Sequence, residues 1–415
     1  MSARDLSRDP LDEDEVRAAS VVAFFLPMHT ATRLAVPVIR RVRALNPSAT
    51  LCAYGLYAPL SAELLRELGV TVVLGPEAER DLVDLVSGRA VQPLAEGAML
   101  PKLAFATPDR STLAPLERYA SLRLPDGTRR IVGSTDATRG CKHRCRHCPI
   151  VPVYNGQFRV VPVDVVLADI EQQVLRGAAH VTFGDPDFFN GPAHARRIVE
   201  ALHERHPRVS YDVTIKVEHL LRERKLLPVL AETGCAFVTS AVEAVDDAIL
   251  VQLEKGHTRE DFITAAGLCR EAGLALAPTF VAFTPWTTIE GYRDLLETVA
   301  MLGLVEHVAP VQWGLRLLVT HDSRLLELED IRRAVGPFDR KTLTYPWIHE
   351  DPRVDDLQAR IMRMIGTTAA ASRMDLFAAV SGMAGLEPDA PAGLTPRPPF
   401  VSRSAIPYLD EPWYC

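Results

Sequence analysis

The stretch RGCKHRCRHCP, residues 139–149, places Cys141, Cys145 and Cys148 within eight positions of one loop. Lysine and arginine residues lie between the cysteines, and nearby cations favour the thiolate over the thiol. Three thiolates from one short loop can hold one face of a metal cluster. A closed metal site usually has four protein ligands, so the identity of the fourth ligand decides what this loop does.

Two kinds of site fit this spacing. A structural zinc site would use His143 or His147 as its fourth ligand, but such sites normally combine two separate ligand pairs, and the sequence has no second Cys/His pair at a suitable spacing. A redox disulfide fits less well, because three neighbouring thiols do not form a simple dithiol pair. We therefore favour a [4Fe–4S] cluster with one iron left open to a ligand from outside the protein.

The composition is that of an ordinary soluble protein, with 415 residues, 47% hydrophobic residues and a formal charge of −7. The acidic balance does not favour a nucleic-acid partner. No apolar run reaches the ~20 residues of a membrane span, and the polar N-terminus lacks the apolar centre of a signal peptide, so we expect no membrane association and a cytoplasmic protein. Seven cysteines, an odd number, argue against a disulfide framework.

The chain reads as an α/β protein with two series of alternating strands and helices. Residues 1–19 are polar and predicted to be disordered, residues 20–90 to form a small Rossmann-like domain, and residues 91–128 to form a connector. The Rossmann-like part has no G-x-G-x-x-G turn, which argues against a dinucleotide ligand. Residues 321–385 are predicted to be helical, and residues 386–415 to form a proline-rich tail.

The second series, residues 129–320, predicts a partial (β/α)6 TIM barrel. Its helical stretches separate six predicted strands: 130–135, 180–184, 209–217, 235–242, 273–283 and 307–314. Chemistry in such barrels takes place at the carboxyl ends of the strands. The cysteine loop follows the first strand, and polar residues that we expect to bind a cofactor end the others: Asp185, Asp187, Lys216, Glu218, Glu243, Thr284, Gln312 and Arg316.

The cysteine spacing after the first strand of a partial TIM barrel resembles the radical SAM superfamily over residues ~130–316. The resemblance implies that the open iron binds the amino and carboxylate groups of S-adenosylmethionine, so the missing fourth ligand is the cosubstrate. It also implies an enzyme that takes electrons from a reductase such as flavodoxin or ferredoxin and acts on a small-molecule substrate.

Other motifs carry the same resemblance. FGDPDFF, residues 183–189, occupies the place of a Gly-Gly-Glu turn, but offers Gly184, Asp185 and Asp187 instead. The resemblance implies that Asp185 or Asp187 contacts the ammonium of the cosubstrate, with a simple helix N-cap as the alternative for Asp187.

The segment from residue 240 to residue 258 resembles the fourth-strand region, in which Glu243 meets the ribose or sulfonium of the cosubstrate, and Lys255 and Gly256 belong to the same pattern. The backbone of residues 279–288 corresponds to the lining of the adenine pocket. A glutamate at a strand end is otherwise usually a solvated rim residue.

The N-terminal domain resembles a cobalamin-binding fold in its order of strands and helices. It lacks the D-x-H-x-x-G segment that supplies an axial histidine to cobalamin, and the corresponding loop offers only His29. We therefore expect a degenerate cobalamin-type domain and do not favour cobalamin as a cofactor.

The barrel, the segment YPWIHEDPRVDDLQ (residues 345–358) and the proline-rich end together resemble a narrower group. Its members end in a Cys–selenocysteine or Cys–Cys pair followed by Ala-Glu-Pro, and they include the enzyme that makes the carbon–arsenic bond of arsinothricin. The resemblance implies transfer of the 3-amino-3-carboxypropyl group to trivalent arsenic, with arsenite as a candidate substrate. Open alternatives are a cobalamin-assisted methyltransferase, another small-molecule or RNA-modifying radical SAM enzyme, and a non-catalytic iron–sulfur or zinc protein.

The sequence given ends in EPWYC, residues 411–415. We expect that the gene continues through a UGA codon read as selenocysteine, so that Cys415 is the catalytic first half of a Cys–selenocysteine clamp for a thiophilic substrate. The alternative is an incidental thiol at a disordered end.

Overall fold

The computed structural model describes residues 2–91, 103–367, 371–386 and 404–410. The strands of this part of the chain are β1 Val21–Phe25, β2 Thr50–Tyr54, β3 Val72–Val73, β4 Ser121–Arg123, β5 Arg129–Thr135, β6 Thr138–Gly140, β7 Phe158–Val160, β8 His180–Phe183, β9 Ser210–Thr214, β10 Cys235–Glu243, β11 Leu276–Phe280 and β12 Tyr408–Asp410. The α-helices are α1 Glu13–Ala18, α2 His29–Leu45, α3 Tyr57–Leu60, α4 Ala62–Glu67, α5 Glu79–Val86, α6 Val151–Tyr154, α7 Val163–Leu175, α8 Pro192–Arg205, α9 Val217–Arg222, α10 Leu227–Glu232, α11 Asp247–Gln252, α12 Arg259–Glu271, α13 Ile289–Met301, α14 Glu329–Ala334, α15 Pro352–Thr367 and α16 Arg373–Met383.

The chain divides into two units that each contain more than one segment. The first unit consists of residues 1–105, 142–157 and 318–347, and the second unit consists of residues 106–141, 158–317 and 348–415. Most of the cysteine loop therefore belongs to the first unit, although its first cysteine, Cys141, is assigned to the second.

The first unit is built on a parallel three-stranded sheet in the order β1-β2-β3. Its core contains Leu26, Ile39 and Leu51, none of which is more than 1% exposed. Val153, from the segment 142–157, packs against the same core although it lies about a hundred residues further along the chain. The predicted strand and helix alternation over residues 20–90 is present in this unit.

The second unit contains a seven-stranded sheet in the order β11-β10-β9-β8-β5-β4-β12. The five strands β5, β8, β9, β10 and β11 are parallel to their neighbours and form the sheet of a partial barrel. At one edge β4 and β12 add in antiparallel orientation. A separate two-stranded ribbon, β6 with β7, follows the first barrel strand. The predicted α/β fold class with a partial barrel is confirmed.

The prediction of a sixth barrel strand at residues 307–314 is wrong. Residues Val305–His307 and Pro310–Gly314 are 3-10 turns, and among the described residues near them a single bridge between Phe283 and Arg316 continues the sheet. Pro310 has no N–H to give to a sheet ladder, which disfavours a strand at this place.

The ends of the chain also differ from expectation. Part of the predicted disordered N-terminus is helix α1, which Asp12 caps by accepting hydrogen bonds from two backbone N–H groups and which buries Val16. Within the predicted proline-rich tail, Tyr408–Asp410 forms strand β12, paired with β4 from the predicted connector. In the described parts of the chain, no helix is both long and apolar enough to cross a membrane.

Candidate active site

Asp185, at the end of the second barrel strand, anchors the backbone that leads into the cysteine loop. Its Oδ2 atom accepts a hydrogen bond from the N–H of Ala137 (2.8 Å), and its Oδ1 atom accepts from the N–H (2.5 Å) and the hydroxyl (2.6 Å) of Thr138. The side chain is buried, and burial raises its pKa to about 7 despite these donors. Contact of Asp185 with a cosubstrate ammonium stays a prediction, and the described partners give this residue a structural role.

Asp187 makes the contact expected of a helix cap. Its Oδ1 atom accepts a hydrogen bond from the N–H of Phe189, at the start of a 3-10 turn. Its Oδ2 atom lies 2.6 Å from Nδ1 of His219, which α9 brings in from the end of the third barrel strand, and both side chains are fully buried. The structure therefore pairs Asp187 with a histidine that the sequence analysis did not consider.

Glu243 occupies a strained position at the end of the fourth barrel strand. Its φ angle is +71°, which is unusual for a residue with a side chain, and a bulge in the pairing of β10 with β11 lies beside it. Oε1 of Glu243 lies 3.3 Å from Nζ of Lys255, and both side chains are less than a tenth exposed. Strain of this kind is frequently kept where a side chain must be aimed at a ligand.

The third and fourth strand ends contribute to one cluster of charged groups. Nζ of the buried Lys216 lies 3.7 Å from Oε2 of Glu218. Gly256, at φ +73°, packs so close that a β-carbon there would lie 3.2 Å from the same Glu218 oxygen. The sequence predicted that these residues share a rim, and the structure brings them together with the Glu243–Lys255 pair.

His257 is a member of this cluster that the sequence analysis missed. Its side chain is 6% exposed, and within the described part of the chain neither ring nitrogen has a hydrogen-bond partner. Burial, and secondarily the charges of Lys255 and Lys216, lower the pKa of the imidazole to about 4, so it is neutral near pH 7. Its place directly after Lys255 and Gly256 was the available signal.

The three remaining predicted rim residues make local structural contacts. Thr284 closes a turn, because its N–H and its hydroxyl both contact Oγ1 of Thr287 at 3.0 Å. Oε1 of Gln312 accepts a hydrogen bond from the N–H of Phe280 at 2.8 Å, taking the place of a strand beside β11. Arg316 forms an ion pair with Asp355 at 2.6 Å. These contacts neither require nor exclude a bound cofactor.

The burial of the three loop cysteines is compatible with a cluster that is bound through thiolates. Cys141 and Cys145 are buried and Cys148 is half-buried, and no described cysteine forms a disulfide. The N–H of Cys148 donates to the carbonyl of Cys145 (3.2 Å), which turns the chain tightly between these two residues. Buried thiols without disulfides, interleaved with basic residues, fit the donor set of an iron–sulfur cluster. Cys415, the predicted catalytic cysteine, lies outside the described residues.

The part of the chain that contains the cysteine loop also matches a known protein family. Residues 136–302 match the family model described as the Radical SAM superfamily. The matched region begins directly before the cysteine loop and ends with α13. The predicted radical SAM domain is confirmed.

Two curated relatives match the chain at 25% identity. One is the tRNA-2-methylthio-N(6)-dimethylallyladenosine synthase of Fusobacterium nucleatum, over 186 residues that cover 40% of each protein. The other is the hopanoid C-3 methylase of Methylococcus capsulatus, over 219 residues that cover 51% of this chain and 41% of the relative. The match thus spans about two fifths of the length of these relatives.

Solved structures show the same fold at low sequence identity. The cobalamin-dependent S-adenosylmethionine radical enzyme OxsB, with aqua-cobalamin bound, superimposes with a TM-score of 0.64 at 12% identity, covering 86% of this chain and 60% of that chain. The radical S-adenosylmethionine methyltransferase TsrM from Kitasatospora setae gives a TM-score of 0.55 at 19% identity, with 70% and 62% covered.

Proposed function

We propose that this chain, a radical SAM enzyme by its domain at residues 136–302, binds a [4Fe–4S] cluster through Cys141, Cys145 and Cys148 and cleaves S-adenosylmethionine reductively to act on a small molecule. The observation that carries the proposal is the position of the three cysteines, which follow the first barrel strand β5 by way of the short strand β6 and lie within the matched domain. Carboxyl strand ends are the catalytic edge of such barrels.

A [4Fe–4S] cluster held by Cys141, Cys145 and Cys148 would supply one electron for the reductive cleavage of S-adenosylmethionine, and an external reductase such as flavodoxin or ferredoxin would restore that electron. The protein's own contribution is to hold and orient. Asp185 fixes the backbone at Ala137 and Thr138, and thereby the direction in which the cysteine loop leaves the barrel. Glu243 and Lys216, with the neutral ring of His257, offer hydrogen bonds to a polar ligand at the strand ends.

Anaerobic reconstitution of the chain with iron and sulfide tests the cluster. We expect about 4 iron atoms per chain in the wild type, and we expect Cys145→Ala to lose both iron and cleavage of S-adenosylmethionine. Cys269→Ala, at a buried cysteine of helix α12, is the matched control and should keep both. Zinc without iron in the wild type, or cleavage by Cys145→Ala, would refute the proposal.

The narrower proposal of 3-amino-3-carboxypropyl transfer to trivalent arsenic is tested by the nucleoside product. Transfer of that group breaks the bond between the sulfur and the carbon of the methionyl side chain and releases methylthioadenosine, whereas ordinary cleavage releases 5′-deoxyadenosine. Mass spectrometry of the dithionite-reduced reaction with arsenite distinguishes the two. Release of 5′-deoxyadenosine alone would count against arsenic and leave the radical SAM assignment intact.

Cobalamin-dependent methyl transfer is a second candidate, supported by the fold shared with OxsB and TsrM. In the described loop of the first unit that corresponds to the axial-histidine segment of a cobalamin-type domain, the one histidine is His29, and it is already engaged. Nε2 of His29 lies 2.7 Å from the carbonyl oxygen of Thr342 and donates to it. We therefore assign no step to cobalamin. Incubation with hydroxocobalamin followed by gel filtration tests the candidate, and retention of the corrin absorbance by the protein would favour it.

A further inference from the structure

The segment after the last loop cysteine is built into the first unit. Helix α6 begins three residues after Cys148 and has only four residues. Val153 packs against the core of the first sheet, and Val151 and Tyr154 are 3% and 4% exposed. A single helical turn is not stable alone, because it fixes several residues for very few hydrogen bonds. Packing against the first unit therefore keeps α6 folded and in place.

A hydrogen bond between two buried side chains fixes the position of α6. The hydroxyl of Tyr154 donates to Oε1 of Glu77 at 2.7 Å. Glu77 follows β3 of the first sheet and is 3% exposed. A carboxylate is rarely buried unless it is paired or hydrogen-bonded, and bonds to a charged acceptor are among the stronger ones in proteins. The two residues thus form a specific tether between the first sheet and α6.

Two backbone turns connect α6 to the cysteines. The N–H of Val151 donates to the carbonyl of Cys148 at 3.2 Å, and the N–H of Cys148 donates to the carbonyl of Cys145 at 3.2 Å. The two turns share Cys148, so the chain between Cys145 and α6 has little slack. A displacement of α6 is therefore passed on to both cysteines.

A second contact holds the loop through a different segment of the first unit, residues 318–347. Nη1 of Arg324 donates to the carbonyl of Arg144, directly before Cys145, at 2.6 Å. Nε and Nη2 of Arg324 each donate to the carboxylate of Glu327 at 3.0 Å, which orients the guanidinium. The loop is thus held before Cys145 and after Cys148 by residues of one unit.

We propose that the first unit is the scaffold of the cysteine loop, and that Glu77, Tyr154 and Arg324 are positioning residues that hold Cys145 and Cys148 for the cluster. The inference rests on the proposed function, because the cluster is the ligand for which the loop is held. A loop that is ordered before binding pays less conformational entropy when the ligand arrives, and so it binds more tightly. The first unit then has a task that requires no cobalamin.

Iron retention by the full-length reconstituted chain tests the proposal. Tyr154→Phe removes the hydroxyl and keeps the ring, so the tether is lost while the packing of α6 remains. We expect the concentration of EDTA that removes half of the iron to fall at least about tenfold. Glu77→Gln should behave like the wild type, because its amide oxygen still accepts the hydrogen bond.

Tyr211→Phe is the matched control for the loss of a buried hydroxyl. The Tyr211 hydroxyl bonds to Oγ1 of Thr233 at 2.7 Å within the second unit, and its side chain is fully buried. We expect this variant to lose stability without any change in iron retention. The same loss of iron in Tyr211→Phe as in Tyr154→Phe would overturn the proposal, because it would show an effect of general destabilisation.

Alkylation of the apo protein with iodoacetamide measures the loop without a cluster. Cys145 is buried, so its reaction requires local opening. Loss of one hydrogen bond that opposes opening should make Cys145 react about fivefold faster in Tyr154→Phe, as measured by mass spectrometry. Cys269 in α12 should keep its rate. Absence of iron from the reconstituted wild type would refute the proposed function, and an unchanged Cys145 rate in Tyr154→Phe would refute the scaffold.

Arg324→Met is an independent variant for the contact before Cys145, and we expect it to lower iron retention as Tyr154→Phe does. Arg340→Met is its matched control, because Arg340 bonds to Glu67 of the same unit at 2.7 and 2.9 Å. Far-ultraviolet circular dichroism checks that each variant folds. If Tyr154→Phe does not fold, equal iron retention by Arg324→Met and Arg340→Met would overturn the proposal.

Discussion

Nζ of Lys255 lies 3.3 Å from Oε1 of Glu243, and both side chains are withdrawn from solvent at the end of the fourth barrel strand. Removing one member of a buried ion pair leaves the other charge in a medium that solvates it poorly. Replacing Glu243 alone should therefore lower the free energy of unfolding much more than replacing Glu243 and Lys255 together.

We expect Glu243→Gln to lower the free energy of unfolding by on the order of 3 kcal/mol, measured by urea denaturation. The double variant Glu243→Gln/Lys255→Met should recover most of that loss, because the buried ammonium is gone. Glu200→Gln breaks the exposed pair with Arg196 and should change the free energy by no more than about 0.5 kcal/mol. A single variant as stable as the wild type would show that the pair is solvated.

Asp185 should make the protein less stable as the pH rises. Its pKa is raised from 3.8 to about 7 in the folded chain, mainly by burial, so the folded protein holds a proton that the unfolded chain has released. This contribution to stability is complete below pH ~4 and is lost as the pH rises to ~7. In Asp185→Asn the amide does not titrate, so the free energy of unfolding of the wild type relative to this variant should fall across that window.

The measurement is a series of urea denaturation curves between pH 4 and pH 8 for the two proteins. Asp164→Asn, on the first turn of α7, serves as a control for the removal of one carboxylate. A constant difference between the wild type and Asp185→Asn would mean that Asp185 ionises in the folded protein as it does in the unfolded chain.

His257 should make the protein more stable as the pH rises, which is opposite to the effect of Asp185. Its pKa is lowered from 6.5 to about 4, chiefly by burial. Between these two pH values the unfolded chain binds a proton at His257 and the folded chain does not. The stability that this residue contributes is complete above pH ~6.5 and is lost as the pH falls to ~4. The free energy of unfolding of the wild type relative to His257→Gln should therefore rise between pH 4 and pH 6.5 and then become constant.

Nuclear magnetic resonance of the ring protons measures the His257 titration directly. His321, a half-exposed histidine, gives the comparison resonance in the same spectra. A His257 midpoint near the ordinary value would contradict the burial argument, and the pH dependence of the variant pair would then have to vanish as well.

The strands of the barrel were predictable because strands that are covered on both faces are short, continuous apolar runs. The same reasoning failed for residues 307–314, where Pro310 interrupts the ladder and the side chain of Gln312 bonds to the edge strand instead. The strand ends placed Glu243, Lys216 and Glu218 on one rim, as their positions indicated. An acidic residue after a strand looks the same in sequence whether it faces a ligand or its own backbone, and so the inward contacts of Asp185 were not foreseen.

A cavity of about 420 Å³ in the first unit was not predictable from local patterns. Its walls come from loops near residues 29 and 57 and from a segment nearly three hundred residues later. No periodicity in residues 320–345 indicates that this segment returns to the first sheet. Local sequence patterns indicate elements and their ends, and they carry no information on contacts between distant loops.

Gly55, directly after β2, should be among the glycines of the first unit least able to accept a side chain. Its φ angle is +108°, and a β-carbon there would lie 2.8 Å from the carbonyl oxygen of Leu26, a backbone atom that cannot move away as the end of a side chain would. The N–H of Tyr57 donates to that same oxygen, so a shift of Leu26 would also disturb the start of α3. Gly88 has φ +71° but nothing within 4 Å of a β-carbon, so it separates backbone strain from steric overlap. We expect Gly88→Ala to lose about 1 kcal/mol of unfolding free energy from strain alone, and Gly55→Ala to lose clearly more. Urea denaturation measures both losses, and equal losses in the two variants would show that the close approach of Gly55 to Leu26 does not constrain this turn.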